Sequence, residues 1–351
     1  MAGESVYRDV FAMHTDVWQL VAAAVAPLPG ETVWEWQLRV EALFGDVTAA
    51  ADALIDDGVG AAGVFGASVA VKAAAAAADN TRAEVAAARG TQNALERPVP
   101  PVTGATLAAA PVRELAAEMA AVRAQLKRSV ATQWRQIVAE AVVGVRDGSR
   151  SLHAAVWEGV DTGQRRGLTA FRDRRGRKYQ PETYVDMATR TAVVRARVAG
   201  VVQGVQDAGE KFVQVSESPD ECPLCSRWEG KILVVAGDVS PPAVGSLAEA
   251  RGAGLFHPRC THMVRPFLPG VSSKPPAPTP NPEGYAETQR QRLLERRIRQ
   301  RKRELAVAKV GAPAEGVARA QANLTRAYQA HRSFLAATGR IARRGATRTT
   351  P

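Results

Sequence analysis

The sequence is poor in cysteine and in aromatic residues. Its 351 residues include three cysteines, and aromatic side chains make up 5% of the chain. Three cysteines cannot form the even disulfide framework of a small secreted domain, and no basic segment followed by an apolar one opens the chain. We therefore expect folding in a reducing cytoplasm without a signal peptide. Few aromatic residues beside abundant alanine favour helices over a β-sandwich.

Several catalytic motifs are also missing. The sequence has no Gly-x4-Gly-Lys-Ser/Thr segment, which excludes a P-loop ATPase. The spacing Gly58-Val-Gly60-Ala-Ala-Gly63 matches a dinucleotide-binding fingerprint, but no β-branched strand precedes it and no βαβ alternation follows. A zinc deaminase would carry a His-x-Glu motif before its cysteines, whereas here the histidine motif follows them. The sequence therefore lacks the signatures of these three enzyme classes.

Charge is nearly absent from residues 58–78, where Lys72 is the single charged residue. A segment of this length is long enough to span a membrane. Glycine and alanine dominate it, however, and they drive membrane insertion weakly compared with leucine, isoleucine or phenylalanine. We therefore expect a buried helix here and no membrane partner.

The three cysteines that are present lie close together and stand beside histidines. They form the segments Cys222-Pro-Leu-Cys225 and His257-Pro-Arg-Cys260-Thr-His262. Two close ligand pairs on separate segments suit a tetrahedral Zn²⁺, and a complete set of four protein ligands is typical of a structural site. We predict a structural zinc bound by the three cysteines and by His257 or His262. The alternative is that the thiols are small buried apolar groups.

The excess positive charge is confined to the C-terminal part of the chain. The net charge is +11; residues 283–351 hold 16 Lys/Arg against 5 Glu, and the rest hold 30 basic and 30 acidic groups. Such a tail suits DNA, although basic runs are often solvated helix faces or sites for an acidic protein. We expect the tail to project from the body, because burial would leave guanidinium groups unpaired. The candidate contacts are Arg290, Arg292, Arg296, Arg297, Arg299, Arg301, Lys302 and Arg303.

A second basic cluster lies in a glycine-containing loop. Its side chains are suited to phosphates or to the acidic surface of a neighbouring subunit. A solvated loop is the alternative, because Glu158, Asp161, Asp173 and Glu182 are near enough in the sequence to neutralise part of the charge. The candidate residues are Arg172, Arg174, Arg175, Arg177 and Lys178.

Proline-rich segments and hydrophobic periodicity organise the chain into an α+β, mainly α-helical fold. An apolar stripe at three- and four-residue steps from Leu115 to Val145 predicts a long helix, and Pro181 begins a second. Residues 212–216, 231–235 and 263–268 read as short strands of a small zinc-stapled sheet. The predicted parts are an N-terminal helical region (1–96), a Pro-rich linker (97–110), a helical core region (111–208), a small α+β unit (209–270), a second linker (271–282) and a basic helical tail (283–351).

Four motifs, in order along the second half of the chain, give the sequence a resemblance to a known family. They are Asp173-x-x-Gly176-Arg177 before Tyr184-x-x-Met187-x-x-Arg190-Thr191, Cys-x2-Cys before Trp228-Glu229-Gly230-Lys231, Gly254-Leu-Phe-His-Pro-x-Cys260-x-His262, and an Arg-rich helix with Gln291-Arg292. The chain resembles the phage minor capsid protein 2 family, which is related to the phage Mu F-like head-morphogenesis proteins. Up to about residue 150 it is similar only in being helical.

The resemblance implies a structural protein with no reaction of its own. Such a protein assembles into the procapsid in the host cytoplasm and faces the interior of the virion, at or near the portal. Its partners would be portal and capsid subunits and, through the basic tail, packaged DNA, with no small-molecule substrate. The alternative is a zinc-stabilised DNA-binding or nuclease-type protein delivered with the genome. A nuclease would need a carboxylate or asparagine set beside its histidines, and Arg259, Thr261 and Met263 supply none.

Overall fold

The predicted α+β, mainly helical fold is confirmed. The computed structural model describes residues 2–90, 102–146, 148–166, 171–218, 220, 222–273, 281–343 and 346–347, with side chains except at 2–7, 166 and 282. The helices are α1 (Ala2–Val25), α2 (Val33–Arg89), α3 (Gly104–Arg146), α4 (Leu152–Arg166), α5 (Pro181–Asp207), α6 (Leu247–Gly252), α7 (Pro282–Gly311) and α8 (Ala314–Thr338). The strands are β1 (Phe171–Arg172), β2 (Lys178–Tyr179), β3 (Phe212–Val215), β4 (Ile232–Val234) and β5 (Val264–Pro266).

The chain forms two compact units, each built from segments that are distant in the sequence. Unit 1 contains Met1–Ala62, Glu118–Asp186 and Arg290–Pro351, and unit 2 contains Gly63–Ala117 and Met187–Gln289. The division into six consecutive parts stays a prediction. Of its two proline-rich linkers, residues 97–101 and 274–280 lie outside the described part of the chain.

Helix α3 begins inside the first predicted linker. The hydroxyl of Thr103 accepts a hydrogen bond from the amide of Thr106 at 3.2 Å, which caps the helix. Residues 104–110 are therefore helical rather than extended. The apolar stripe predicted for this helix is confirmed by burial at Leu115, Met119, Val122, Leu126, Val130, Trp134, Ile137 and Ala141.

Unit 1 is centred on tryptophan side chains. Trp18 of α1, Trp36 of α2 and Trp134 of α3 are each at most 2% exposed. The indole N–H of Trp36 donates to the carbonyl of Val25 at 2.7 Å, so burial leaves this polar group satisfied. Ile298 of α7 is fully buried, and residues 290–311 of this basic helix belong to unit 1.

Unit 2 contains a close approach of helices α2 and α5. A Cβ atom at Gly200 would lie 2.1 Å from the carbonyl oxygen of Ala74, and one at Gly204 would lie 2.7 Å from that of Ala78. Only glycine permits backbones to come this near. Small side chains continue the contact in a buried cluster of Ala70, Ala74, Ala108 and Ala196.

Only one face of the glycine- and alanine-rich segment of α2 is buried. By length and composition α2 qualifies as a membrane-spanning helix, with a mean hydropathy of 1.6 over an apolar window of which 28% is buried. Ala70 and Ala74 are fully buried, whereas Val64 is 74% exposed. The expectation of a buried helix is therefore correct for one face and wrong for the other, because close neighbours pack on one side alone.

The sheet of unit 2 sets the position of the cysteines. All three predicted strands form, in the antiparallel order β4-β3-β5. Val215, at the end of β3, pairs with Val264, at the start of β5. The segment that follows β3 and the segment that precedes β5 therefore emerge at the same end of the sheet, and these segments carry the two cysteine motifs.

Candidate metal centre

The first pair of ligands is held by a tight turn after β3. The amides of Cys225 and Ser226 both donate to the carbonyl of Cys222 at 3.0 Å. A short 3₁₀ helix (Ser226–Trp228) follows, and Gly230, with a φ of 67°, leads the chain towards β4. The thiols of Cys222 and Cys225 are buried and within 4.8 Å of each other.

The second pair is held by a similar turn before β5. The amide of Cys260 donates to the carbonyl of His257 at 2.9 Å. The Nδ1 atom of His257 lies 2.8 Å from the carbonyl oxygen of Pro258, so an Nδ1–H group donates there. The lone pair of Nε2 is then free to bind, and Nε2 lies 2.8 Å from the sulfur of Cys222.

The donors form two overlapping groups of three, Cys222-Cys225-His257 and Cys225-Cys260-His262, and the donor atoms of each group lie within 4.8 Å of one another. Zinc bond lengths imply separations of about 3.8 Å between two sulfur ligands and about 3.5 Å between a sulfur and a nitrogen ligand. The sulfurs of Cys225 and Cys260 are 3.6 Å apart, and Cys260 Sγ is 3.4 Å from Nδ1 of His262. The 2.8 Å between Cys222 and His257 would lengthen on coordination. Thiolate and imidazole donors favour zinc over magnesium or calcium, which prefer oxygen.

Hydrogen bonds shift the acidity of these groups. The hydrogen bond with Cys225, helped by His262, lowers the pKa of Cys260 to about 4 despite burial. The same hydrogen bond, together with burial, raises the pKa of Cys225. Burial lowers the pKa of His262, but hydrogen bonds to Cys260 and Glu229 outweigh it and raise that pKa above its ordinary value. Cys260 is therefore more readily deprotonated for metal binding than Cys225.

A buried carboxylate adjoins the centre. Glu229 is 1% exposed and bonds Nε2 of His262, which is 2% exposed. Glu229 is not among the predicted ligands. The signal in the sequence is its position, in the Trp-Glu-Gly-Lys turn directly after the first cysteine pair.

The predicted basic loop is the tip of a β1–β2 hairpin in unit 1. One carboxylate oxygen of Asp173 accepts from the amides of Arg175 and Arg177 at 2.9 Å, and the other accepts from the Arg177 side chain at 2.7 Å. Gly176, with a φ of 76°, completes the turn. Asp173, Gly176 and Arg177 thus build the hairpin, which explains their motif. The exposed basic residues are Arg172, Arg174, Arg175, Arg177 and Lys178.

The expectation that the basic tail projects from the body is wrong for helix α7. Arg303 is 2% exposed and donates to Glu182 at 3.0 Å and to Gln180 at 2.8 Å. Arg299 is 7% exposed and bonds the carbonyl of Ala346. These partners remove the penalty of unpaired buried guanidinium groups. Of the other predicted contacts, Arg290 and Arg297 are exposed, and Arg292, Arg296, Arg301 and Lys302 are half-buried.

Comparison with known proteins decides the family. The model of the family described as phage minor capsid protein 2 matches residues 13–336, nearly the whole chain. The chain belongs to the phage minor capsid protein 2 family. No curated protein and no solved structure matches this minor capsid protein.

Family membership extends beyond the four motifs. The matched region includes the second half of α1 and all of α2, a part of the chain for which the sequence by itself predicts only helices. A minor capsid protein is a component of the phage virion and contacts other structural proteins of the phage. The two cysteine and histidine motifs and the basic hairpin all lie inside the matched region.

Proposed function

We propose that this minor capsid protein is a structural component of the head interior, at or near the portal, and catalyses no reaction. It joins portal and capsid subunits during procapsid assembly in the host cytoplasm. The observation that carries the proposal is the family match over residues 13–336. A structural role for nearly the whole chain is consistent with two helix-rich units, each built from several segments of the sequence.

The candidate metal centre also supports a structural role. Its two overlapping groups of three contain five cysteine and histidine donors, enough to fill the four positions of a tetrahedral zinc. A catalytic zinc keeps a position for water or substrate. The centre is therefore best suited to holding chain segments together.

Zinc is the proposed occupant of this centre. It would be bound by cysteine and histidine from the segment after β3 and the segment before β5, and would cross-link them. The three strands are three to four residues long. A sheet of this size buries little core of its own, so a bound metal would contribute directly to its stability.

Packaged DNA is the proposed polyanionic partner. The hairpin presents five basic residues that are exposed, and α7 adds Arg290 and Arg297. These side chains are suited to phosphate contacts without sequence preference. Because Arg299 and Arg303 are buried, the charge of the tail is divided between stabilising unit 1 and contacting DNA.

Co-purification tests the structural role. Tagged full-length protein, expressed with the portal and major capsid proteins of its phage, should be recovered with the portal protein. Expression without the portal gene is the control. The proposal would be contradicted, and a nuclease favoured, by two results together. The protein would bind neither partner, and it would cleave DNA in Mg²⁺ or Mn²⁺ with an activity that His257→Ala and His262→Ala abolish.

A further inference from the structure

The two ligand turns have the same construction. Each has a metal donor at its first and fourth positions and proline at its second, in Cys222-Pro-Leu-Cys225 and His257-Pro-Arg-Cys260. In each, the fourth amide donates to the first carbonyl, at 3.0 and 2.9 Å respectively. His257 therefore occupies in the second turn the position that Cys222 occupies in the first.

The two turns also face each other in register. The first donors are in contact, with Cys222 Sγ 2.8 Å from His257 Nε2, and so are the fourth donors, with the sulfurs of Cys225 and Cys260 3.6 Å apart. Two donors from each turn complete a tetrahedral set. The hydrogen bond from Nδ1 of His257 to Pro258 fixes which ring nitrogen is free to bind.

His262 is placed differently. It lies outside the turn, two residues before β5, and is almost fully buried. Its Nδ1 atom lies 3.4 Å from the sulfur of Cys260, a distance that suits a hydrogen bond to sulfur as well as shared coordination of one metal, and its Nε2 atom is held by Glu229. A carboxylate often holds a metal-ligating histidine in this way, so the choice between the two histidines rests on the register of the turns and not on the Glu229 contact.

We propose that His257 is the fourth zinc ligand, with Cys222, Cys225 and Cys260. His262 is then a positioning residue, which contacts the sulfur of Cys260 through Nδ1 and is oriented by Glu229 through Nε2. This assignment rests on the proposed zinc site. It also gives a function to Glu229, whose buried carboxylate contacts His262 although the two residues are 33 positions apart in the sequence.

Metal binding by full-length variants tests the assignment. Wild-type protein should hold one zinc per chain, and the Co²⁺-loaded protein should show the absorption of a tetrahedral site with three thiolates. His257→Ala should lose the tetrahedral spectrum, and His257→Cys should restore it with a fourth thiolate. His262→Ala and Glu229→Gln should keep both the stoichiometry and the tetrahedral spectrum but weaken zinc affinity about 10- to 100-fold in a chelator competition.

The outcomes separate the ligand assignment from the zinc site itself. The assignment would be overturned, and the zinc site kept, by the opposite pattern. In that pattern His262→Ala loses the zinc, His257→Ala retains it, and His262→Cys restores it. Wild-type protein without zinc, with three freely titratable thiols, would overturn both. Circular dichroism of each variant verifies folding, and the cysteine replacements decide the question if either alanine variant misfolds.

Discussion

At the scale of single residues, the arginines of helix α7 have very different environments. Arg303 is buried against Glu182, whereas Arg297 is exposed. A buried ion pair contributes little over an apolar replacement of the whole pair, but the loss of one partner leaves an uncompensated charge. Glu182 also has an uncharged neighbour, since Nδ1 of His14 lies 3.1 Å from its carboxylate.

Replacement of one arginine should therefore have a strongly position-dependent effect. Arg303→Met should lower the free energy of unfolding by about 3–5 kcal/mol, because Glu182 would remain buried without its cation. Arg297→Met should change it by less than about 0.5 kcal/mol. Urea denaturation of both variants measures this difference. Equal effects would show that Arg303 is solvated in solution.

The same cluster should make unit 1 sensitive to acid. Burial, followed by the charge of Arg303, lowers the pKa of His14 from 6.5 to about 4, against the effect of Glu182. Burial raises the pKa of Glu182, but Arg303 and His14 outweigh it and bring that pKa from 4.5 to about 2. Both values are lower in the folded state, so the unfolded chain binds more protons as pH falls.

Stability should accordingly fall between pH 6.5 and 4 through His14, and further between pH 4.5 and 2 through Glu182. His14→Gln removes the first titration. Its unfolding midpoint in urea should fall less than that of the wild type between pH 6.5 and 4. Identical pH profiles for the two proteins would mean that His14 is not held neutral by the fold.

At the scale of secondary-structure elements, the contact between α2 and α5 depends on glycine. Gly200→Ala places a methyl group 2.1 Å from the carbonyl oxygen of Ala74, so the helices must separate. We expect a loss of about 1–3 kcal/mol in thermal denaturation. Gly45→Ala, in a helix with no atom within 4 Å of the new Cβ, is the control and should be neutral or stabilising. A neutral Gly200→Ala would contradict the close packing.

The β1–β2 hairpin is the element best placed for DNA. Replacement of Arg174 and Arg175 by alanine should weaken duplex binding and reduce the slope of log K against log salt by about 2, if each contacts one phosphate. The same replacement of Arg319 and Arg326, exposed on α8, changes the net charge equally and should have a smaller effect. Fluorescence anisotropy over a salt series measures both. If the hairpin variant and the α8 variant bind DNA equally well, the DNA contacts lie on another surface of the protein.

Short-range patterns in the sequence predicted most of the elements and brought out the candidate ligands, but they did not predict the partners of buried charges. The spacing of Cys222, Cys225 and Cys260 identified the candidate centre, and Pro181 begins α5 as expected. Arg303 and Glu182 are 121 positions apart, and no local pattern connects them. Because the sequence does not show that Arg303 has an acidic partner, it predicts that the basic helix projects into solvent. The contact between Glu229 and His262 was not predicted either, because the sequence around a glutamate in a turn does not indicate which distant residue it contacts.

At the scale of the whole molecule, two discontinuous units are made from one chain. Parts of α2, α3, α5 and α7 belong to each unit, so neither unit is a continuous piece of sequence. Unit 1 contains the basic hairpin and residues 290–311 of α7, and unit 2 contains the candidate metal centre. Within this minor capsid protein, the proposed DNA contacts and the proposed zinc site are thus assigned to different units.

Cryo-electron microscopy of procapsids tests the central claim most directly. Particles assembled with the full-length protein should show density for it on the inner surface of the head beside the portal, and particles from a deletion mutant should lack that density. Density on the outer surface, or procapsids that contain no copy of the protein, would contradict a structural role inside the head.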